Sequence, residues 1–219
     1  MEAVSHGLEA LQLAKEEFKA DVGIVLAAVR RSPRAWQHAA EHCRANRETV
    51  FQALRACPDC GLGAECHAIL QHASAELQAD RELVLKAVTR SGIALQYASA
   101  ALRGDREVVL QAVSLQNGEA LQFATESLKA DPEVVLKAVS RDLGRLNNAL
   151  LHAHPTLQQD PAFVVQVIEQ KSGEPLMHFI YRVVAKELLG NLQVVKAASM
   201  RAPPCLRFAA SGAGVQLVR

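Results

Sequence analysis

The apolar residues of this chain fall in short stripes with a helical period, and the stripes recur. Behind Asp105, Val108, Val109, Ala112 and Val113 sit at i, i+1, i+4 and i+5, which makes one stripe on a helix and no clean strand alternation. Ahead of it, Leu95, Ala98 and Leu102 recur at i, i+3 and i+7, widened by Ala94 and Ala101, and predict a first helix. Only Arg103-Gly104 links the two, and so short a link makes the helices packing neighbours. The block Gly92 to Leu115 is followed by Gly118 to Arg141, which agrees with it at almost every apolar position.

Candidate helix caps give the period. Asp21, Asn46, Asp80, Asp105, Asp131, Asp160 and Asn191 each precede a short apolar run, at spacings of 25, 34, 25, 26, 29 and 31 residues. A carboxylate or carboxamide there accepts from amides that the first helical turn leaves without partners. Pro132 follows Asp131 where a missing N–H costs nothing. Glu107 and Glu133 lie near the positive end of the helix dipole, and Arg90 and Arg141 near the negative end.

The expected fold is all-α, a superhelical solenoid of about 25-residue two-helix repeats. Units fall near 7–31, 33–56, 68–91, 92–115, 118–141, 143–170 and 174–201, with a cysteine-containing insertion at 57–67 and a partial unit or cap at 203–219. Trp36 takes the core slot that Leu fills elsewhere. The first unit begins almost at once, as in a piece of a longer array. A leucine-rich repeat competes on period and would make the Val-rich segment a strand. Its L-x-x-L-x-L-x-x-N signature is absent, and Glu, Lys, Gln and Ala around V-V-L favour helix. Two helices of about ten residues have too little surface to form a core alone, so each unit must also bury a face against its neighbours.

Composition narrows the function. Half of the residues are hydrophobic and the formal charge is +1, which argues against a dedicated nucleic-acid face. The N-terminal residues lack a basic, then apolar, leader pattern, and no run approaches 18 apolar residues. Five cysteines without a secretory context make a reducing, intracellular setting the default, cytoplasm first and nucleus second.

The matching blocks resemble a family of repeats known only as a domain of unknown function, from protist and some bacterial proteins, with units G-x-A-L-x-x-A-x-x-x-L-x-x-D-x-E-V-V-L-x-A-V. Gly92, Ala94, Leu95, Ala98, Leu102, Asp105, Glu107, Val108, Val109, Leu110, Ala112 and Val113 follow that pattern, as do their counterparts from Gly118 to Val139. The resemblance implies the helical-repeat fold. It implies no activity, because the matching residues are structural ones.

Chemistry-bearing residues suggest three uses. A column of Gln12, Gln37, Gln71, Gln96, Gln122 and Asn147 stands just after the inward Leu or Trp, and the next column is Leu13, His38, His72, Tyr97, Phe123 and Asn148. The carboxamides either bond carbonyls between repeats or meet a peptide, with Gln71, His72, Gln96, Tyr97, Gln122 and Phe123 as the candidate contacts. In the insertion, Cys57, Cys60, Cys66 and His67 form C-x2-C-x5-C-H, which a structural zinc would use. Adjacent Cys66 and His67 are awkward on one tetrahedral ion, and His42, Cys43 or His72 are alternative fourth ligands. Otherwise the segment is a plain loop. Basic residues late in the second helices, Arg30, Lys86, Arg90, Lys137, Arg141, Lys196 and Arg201, complement the dipole and, if aligned, would attract an acidic partner or RNA. No H-E-x-x-H, G-x-S-x-G or phosphate-cradling glycine loop occurs, and helix capping explains the recurring aspartates. The expectation is a scaffold or protein-interaction module, not an enzyme, without a cofactor unless zinc binds.

Overall fold

The computed structural model describes residues 11–57, 65–114, 118–140, 149–170 and 191–201. Every regular element among them is helical, including Val108–Leu110 and Val134–Leu136, where a leucine-rich repeat would place strands. Contacts divide the chain into two compact units, Met1–Leu115 and Gln116–Arg219. No helix among the described residues is long and apolar enough to cross a membrane.

All seven predicted caps act as caps. Asp21, Asn46 and Asp80 accept from the amides of Ile24, Thr49 and Leu83 at 3.0, 3.0 and 3.1 Å. Asp105 and Asp131 each accept twice, from Glu107 and Val108 and from Glu133 and Val134. Asp160 accepts from Ala162, and Asn191 from Gln193 and Val194. Each cap starts the long helix of its repeat. These helices are Val22–Arg31, Arg47–Ala56, Arg81–Val88 and Arg106–Ser114 in the first unit, and Pro132–Ser140, Pro161–Gln170 and Leu192–Arg201 in the second.

The predicted stripes form the core. Val108, Val109, Ala112 and Val113 are fully buried, as are Val134, Val135 and Ala138 in the sister repeat. The same four positions are Leu83, Val84, Ala87 and Val88 one repeat earlier, and Phe163, Val164, Val167 and Ile168 in the sixth, all buried. Leu95, Leu70, Leu121 and Leu150 fill the opposing slot, and Trp36 takes it in the second repeat, buried completely. Each such side chain contributes roughly 1.5–3 kcal/mol on leaving water.

The first half of each repeat differs from the single helix expected. Gly92–Tyr97 is a 3-10 helix, Ala98 and Ser99 are extended, and Ala100–Arg103 is one turn of α-helix. Pro33–His38 with Glu41–Ala45, Gly118–Phe123 with Glu126–Lys129, and Leu150–His152 with Pro155–Gln158 repeat the break. In the third repeat the opening element is an α-helix, His67–Gln71, followed by Ala75–Gln78.

A tertiary bond causes the interruption. In a continuous helix the Ser99 N–H would donate to Leu95; instead it reaches the preceding repeat and donates to the Gln78 carbonyl at 2.9 Å, while Ala98 closes the 3-10 turn on Leu95 at 3.1 Å. Ala40 donates likewise to Lys19 at 2.9 Å, Ser74 to Arg44 at 3.3 Å, and His154 to Lys129 at 2.9 Å. Each bond satisfies a carbonyl that the end of a short helix leaves open, and it ties one repeat to the next.

Candidate functional site

Within the first unit the opening turns, 3-10 in the second and fourth repeats and α-helical in the third, set the inward Leu or Trp against the core and turn the two following residues outward. Trp36, Leu70 and Leu95 are buried; Gln37 and Gln71 are exposed, Gln96 is half-buried, and His38, His72 and Tyr97 each keep a half-buried ring. In the second unit Gln122 and Phe123 are half-buried in the equivalent places. The sixth repeat requires a correction of register. Its inward leucine is Leu150, ten residues before Asp160 as Leu95 is before Asp105, so the column continues through Leu151 and His152. Leu146, Asn147 and Asn148, taken for those places from the sequence, lie outside the described residues.

The carbonyl-bonding amides are also not the column glutamines. Gln78 Nε2 donates to Leu70, Gln71 and Ala73 at 3.1, 3.4 and 3.4 Å, and Gln158 Nε2 to Leu151 and Ala153 at 3.1 and 2.8 Å. Both stand two residues before the Asp cap, where Arg44 Nε donates to the Ala39 carbonyl at 3.1 Å before Asn46. The side chains of Gln71, Gln96 and Gln122 make no hydrogen bond to the described residues. The ladder was expected seven residues too early, at Gln71 and not at Gln78. The signal was the presence of Lys, Arg or Gln two residues before each of the first six caps.

Sequence analysis also missed an ionic clamp between repeats of the first unit. Arg47 Nε and Nη2 reach Asp80 and Glu82 of the next repeat at 2.6 and 2.5 Å, and its guanidinium lies 4.9 Å from the Phe51 ring centre. Arg81 reaches Asp105 at 2.8 Å and also Glu107. These bonds hold the Asp80 and Asp105 carboxyls below the usual carboxylate range, and they raise both arginines above their ordinary value. Each clamp takes the arginine just after one cap and the D-x-E of the next. In the second unit Pro132 stands in the arginine's place and Ala162 in the glutamate's.

In the insertion, Cys57 and Cys66 are joined in a disulfide with Cα atoms 6.2 Å apart. Two sulfurs of the candidate zinc set are therefore bonded to each other, a state that a reducing setting does not favour. Cys60 lies outside the described residues, and no three His, Cys, Asp or Glu among the described ones are placed to hold a metal. His67 stacks on Tyr97 instead, with ring centres 6.1 Å apart and planes at 10°, so this residue joins the ring column. His42 Nε2 and the buried Cys43 sulfur lie 3.4 Å apart; burial, then Asp21, pushes the Cys43 thiol up.

The column histidines are all shifted towards the neutral form. Burial lowers His38, followed by the charge of Lys19. Burial also lowers His72, followed by Arg44 and His38. In the second unit burial and Lys129 lower His152, against a smaller opposing pull from Glu119. The late basic residues are less gathered: Arg30, Lys137 and Lys196 are exposed, Lys86 and Arg90 half-buried, and Arg141 lies outside the described residues.

Recurrent capped helices, stripes buried between repeats and outward columns define an all-α helical-repeat protein. Residues 46–103 and 105–158, just over half of the chain, match the family described as Domain of unknown function (DUF4116), and the chain belongs to that family. No curated protein and no solved structure matches it.

Proposed function

We propose that the protein is an interaction module, not an enzyme, and that it meets a protein partner with the outward side of the opening turns of its repeats. The free carboxamides carry this reading. Gln71 and Gln96 satisfy nothing in the described fold, although a rigid backbone sets each beside a half-buried ring, His72 or Tyr97. A carboxamide offers two donors and an acceptor to a passing main chain, and an adjacent ring adds contact area at low entropic cost. Gln122 and Phe123 present the same pair in the second unit. The recurring aspartates, the residues with the chemistry of general acids, are occupied as caps, and two of them also as clamp acceptors.

The test is a Gln96→Ala, Tyr97→Ala double variant, with its fold verified by circular dichroism and thermal melting. Native lysate passed over wild-type protein is expected to yield a partner that the double variant retains at least about tenfold less, the effect of losing two interface contacts. Equal retention by both proteins removes this face from the reading. The competing use, acidic partner or RNA binding through the late helical cations, predicts that Lys137→Gln and Lys196→Gln reduce retention while Gln96 and Tyr97 can be dispensed with.

A further inference from the structure

We propose that His38, Arg44 and His72 form a seat for a carboxylate on an acidic segment of a partner protein. The proposal deepens the interaction-module reading and rests on it. Two bonds bring the residues together. Arg44 Nε donates to the Ala39 carbonyl at 3.1 Å, which sets the guanidinium against the end of the turn that carries His38. The Arg44 carbonyl accepts from Ser74 N–H at 3.3 Å, which fastens the same residue to the segment just after His72. All three side chains are half-buried.

What separates this place from the repeats with a lysine there is the charge left unanswered; Arg103, the other arginine at this position, is also without a carboxylate among the described residues but follows Tyr97 where Arg44 follows His38. Lys19 and Lys129 occupy the Arg44 position in other repeats, and each is paired with a glutamate three residues earlier, Glu16 at 2.9 Å and Glu126 at 2.8 Å. Glu41 stands at that spacing from Arg44, yet among the described residues Arg44 pairs with no carboxylate and its terminal nitrogens donate to nothing. The charges acting on His72 are those of Arg44 and His38, with no acid among them. A positive fork whose charge reaches the His72 imidazole unanswered is a cost to the fold that a bound anion relieves.

The chemistry of the donors selects the anion. The free edge of the guanidinium offers paired N–H groups that match the two oxygens of a carboxylate. The Gln37 amide nitrogen lies 3.1 Å from His38 Nε2 and can only donate to it, which places the imidazole's own proton on Nδ1. His72 adds one further ring N–H. Lys19, whose charge also reaches His38, is already answered by Glu16, which leaves one unpaired positive charge with two neutral donors and fits a monoanion; a phosphate dianion would be matched by a second unpaired cation, which the cluster lacks. Gln71, with its unused carboxamide, adjoins His72 and gives the peptide around the acid a place to bond.

The probe is an N-acetylated hexaglutamate peptide, titrated into the full chain at neutral pH and followed by the ring resonances of the histidines. Saturable shifts are expected at His38 and His72. Arg44→Gln is expected to weaken binding by about tenfold or more, as loss of a charge-assisted fork does, while Arg81→Gln leaves it unchanged. His72→Gln keeps the Arg44 bond to Ala39 and is expected to weaken binding in a chain whose melt matches wild type, so the result does not hang on the stability of the Arg44 variant. Three results overturn the seat: absence of shifts, equal weakening by Arg81→Gln, and displacement of the peptide by millimolar inorganic phosphate. Failure of hexaglutamate to bind, with partner retention still dependent on Gln96 and Tyr97, removes the seat and leaves the interaction module standing.

Discussion

At the scale of single residues, the repeat depends on how little space the turn leaves. A Cβ added to Gly118 would meet the Ala149 Cβ at 2.5 Å and the Ala138 carbonyl oxygen at 2.8 Å, so backbone and small side chains of the second unit close over this position. Gly118→Ala is therefore expected to destabilise by about 1–3 kcal/mol, read as a lower urea midpoint at unchanged slope. The glycine is legible in the sequence as part of the repeat, and its reason is not. Nothing local requires it, since the clash comes from residues far along the chain.

At the scale of the element, the interrupted first helix separates local preference from tertiary demand. Leu95, Ala98 and Leu102 have helical spacing, but Ser99 sends its N–H to Gln78 of the preceding repeat, and its side chain caps Leu102 at 3.4 Å. Ser99 has φ −56° and Ala98 has ψ 153°, values that a proline and its predecessor adopt readily. Ser99→Pro is thus expected to keep the fold and lose only the tie to Gln78 and the side-chain cap. It should be less stable than Ser99→Ala, which loses the cap alone, by about 1 kcal/mol, the net worth of one hydrogen bond. A proline inside an unbroken helix would cost about 3 kcal/mol or more, so thermal melts of the two variants distinguish the architectures.

At the scale of the whole molecule, the clamps make the first unit sensitive to acid. The Asp80 and Asp105 carboxyls are held below their ordinary value by Arg47 and Arg81, so the folded state binds their protons more weakly than the unfolded chain does. The resulting stability is fully present above the unfolded carboxylate value of about 3.9 and is lost as pH falls through the lower folded value. Arg81→Gln is expected to melt below wild type at neutral pH, with the gap narrowing as pH falls below about 4. A gap independent of pH would mean that Arg81 acts through packing alone. The first unit carries these clamps from its second repeat to its third and from its third to its fourth, whereas Pro132 and Ala162 rule out the same bond in the second unit.

What the sequence determined by itself is whatever is decided within one turn of chain: seven caps, the buried stripe behind each, four residues wide behind Asn46, Asp80, Asp105, Asp131 and Asp160, and hence the period and the all-α class. A cap and the amides it satisfies are two or three residues apart, and a stripe needs only its own helix. Tertiary structure decided what depends on the next repeat. Ser99 breaks its helix because Gln78 is there to accept its N–H. The carbonyl-bonding amides proved to be Gln78 and Gln158, not the column glutamines, because the bend of the turn places those carbonyls under them. The register of the sixth repeat was misplaced, because its Leu-Asn-Asn-Ala-Leu run, Leu146 to Leu150, offers two leucines to the same slot, and burial falls on the one ten residues before the cap, Leu150. Arg44 comes beside His72 by the same kind of selection: His72 stands in the next repeat, and only the stacking of the two repeats makes them neighbours.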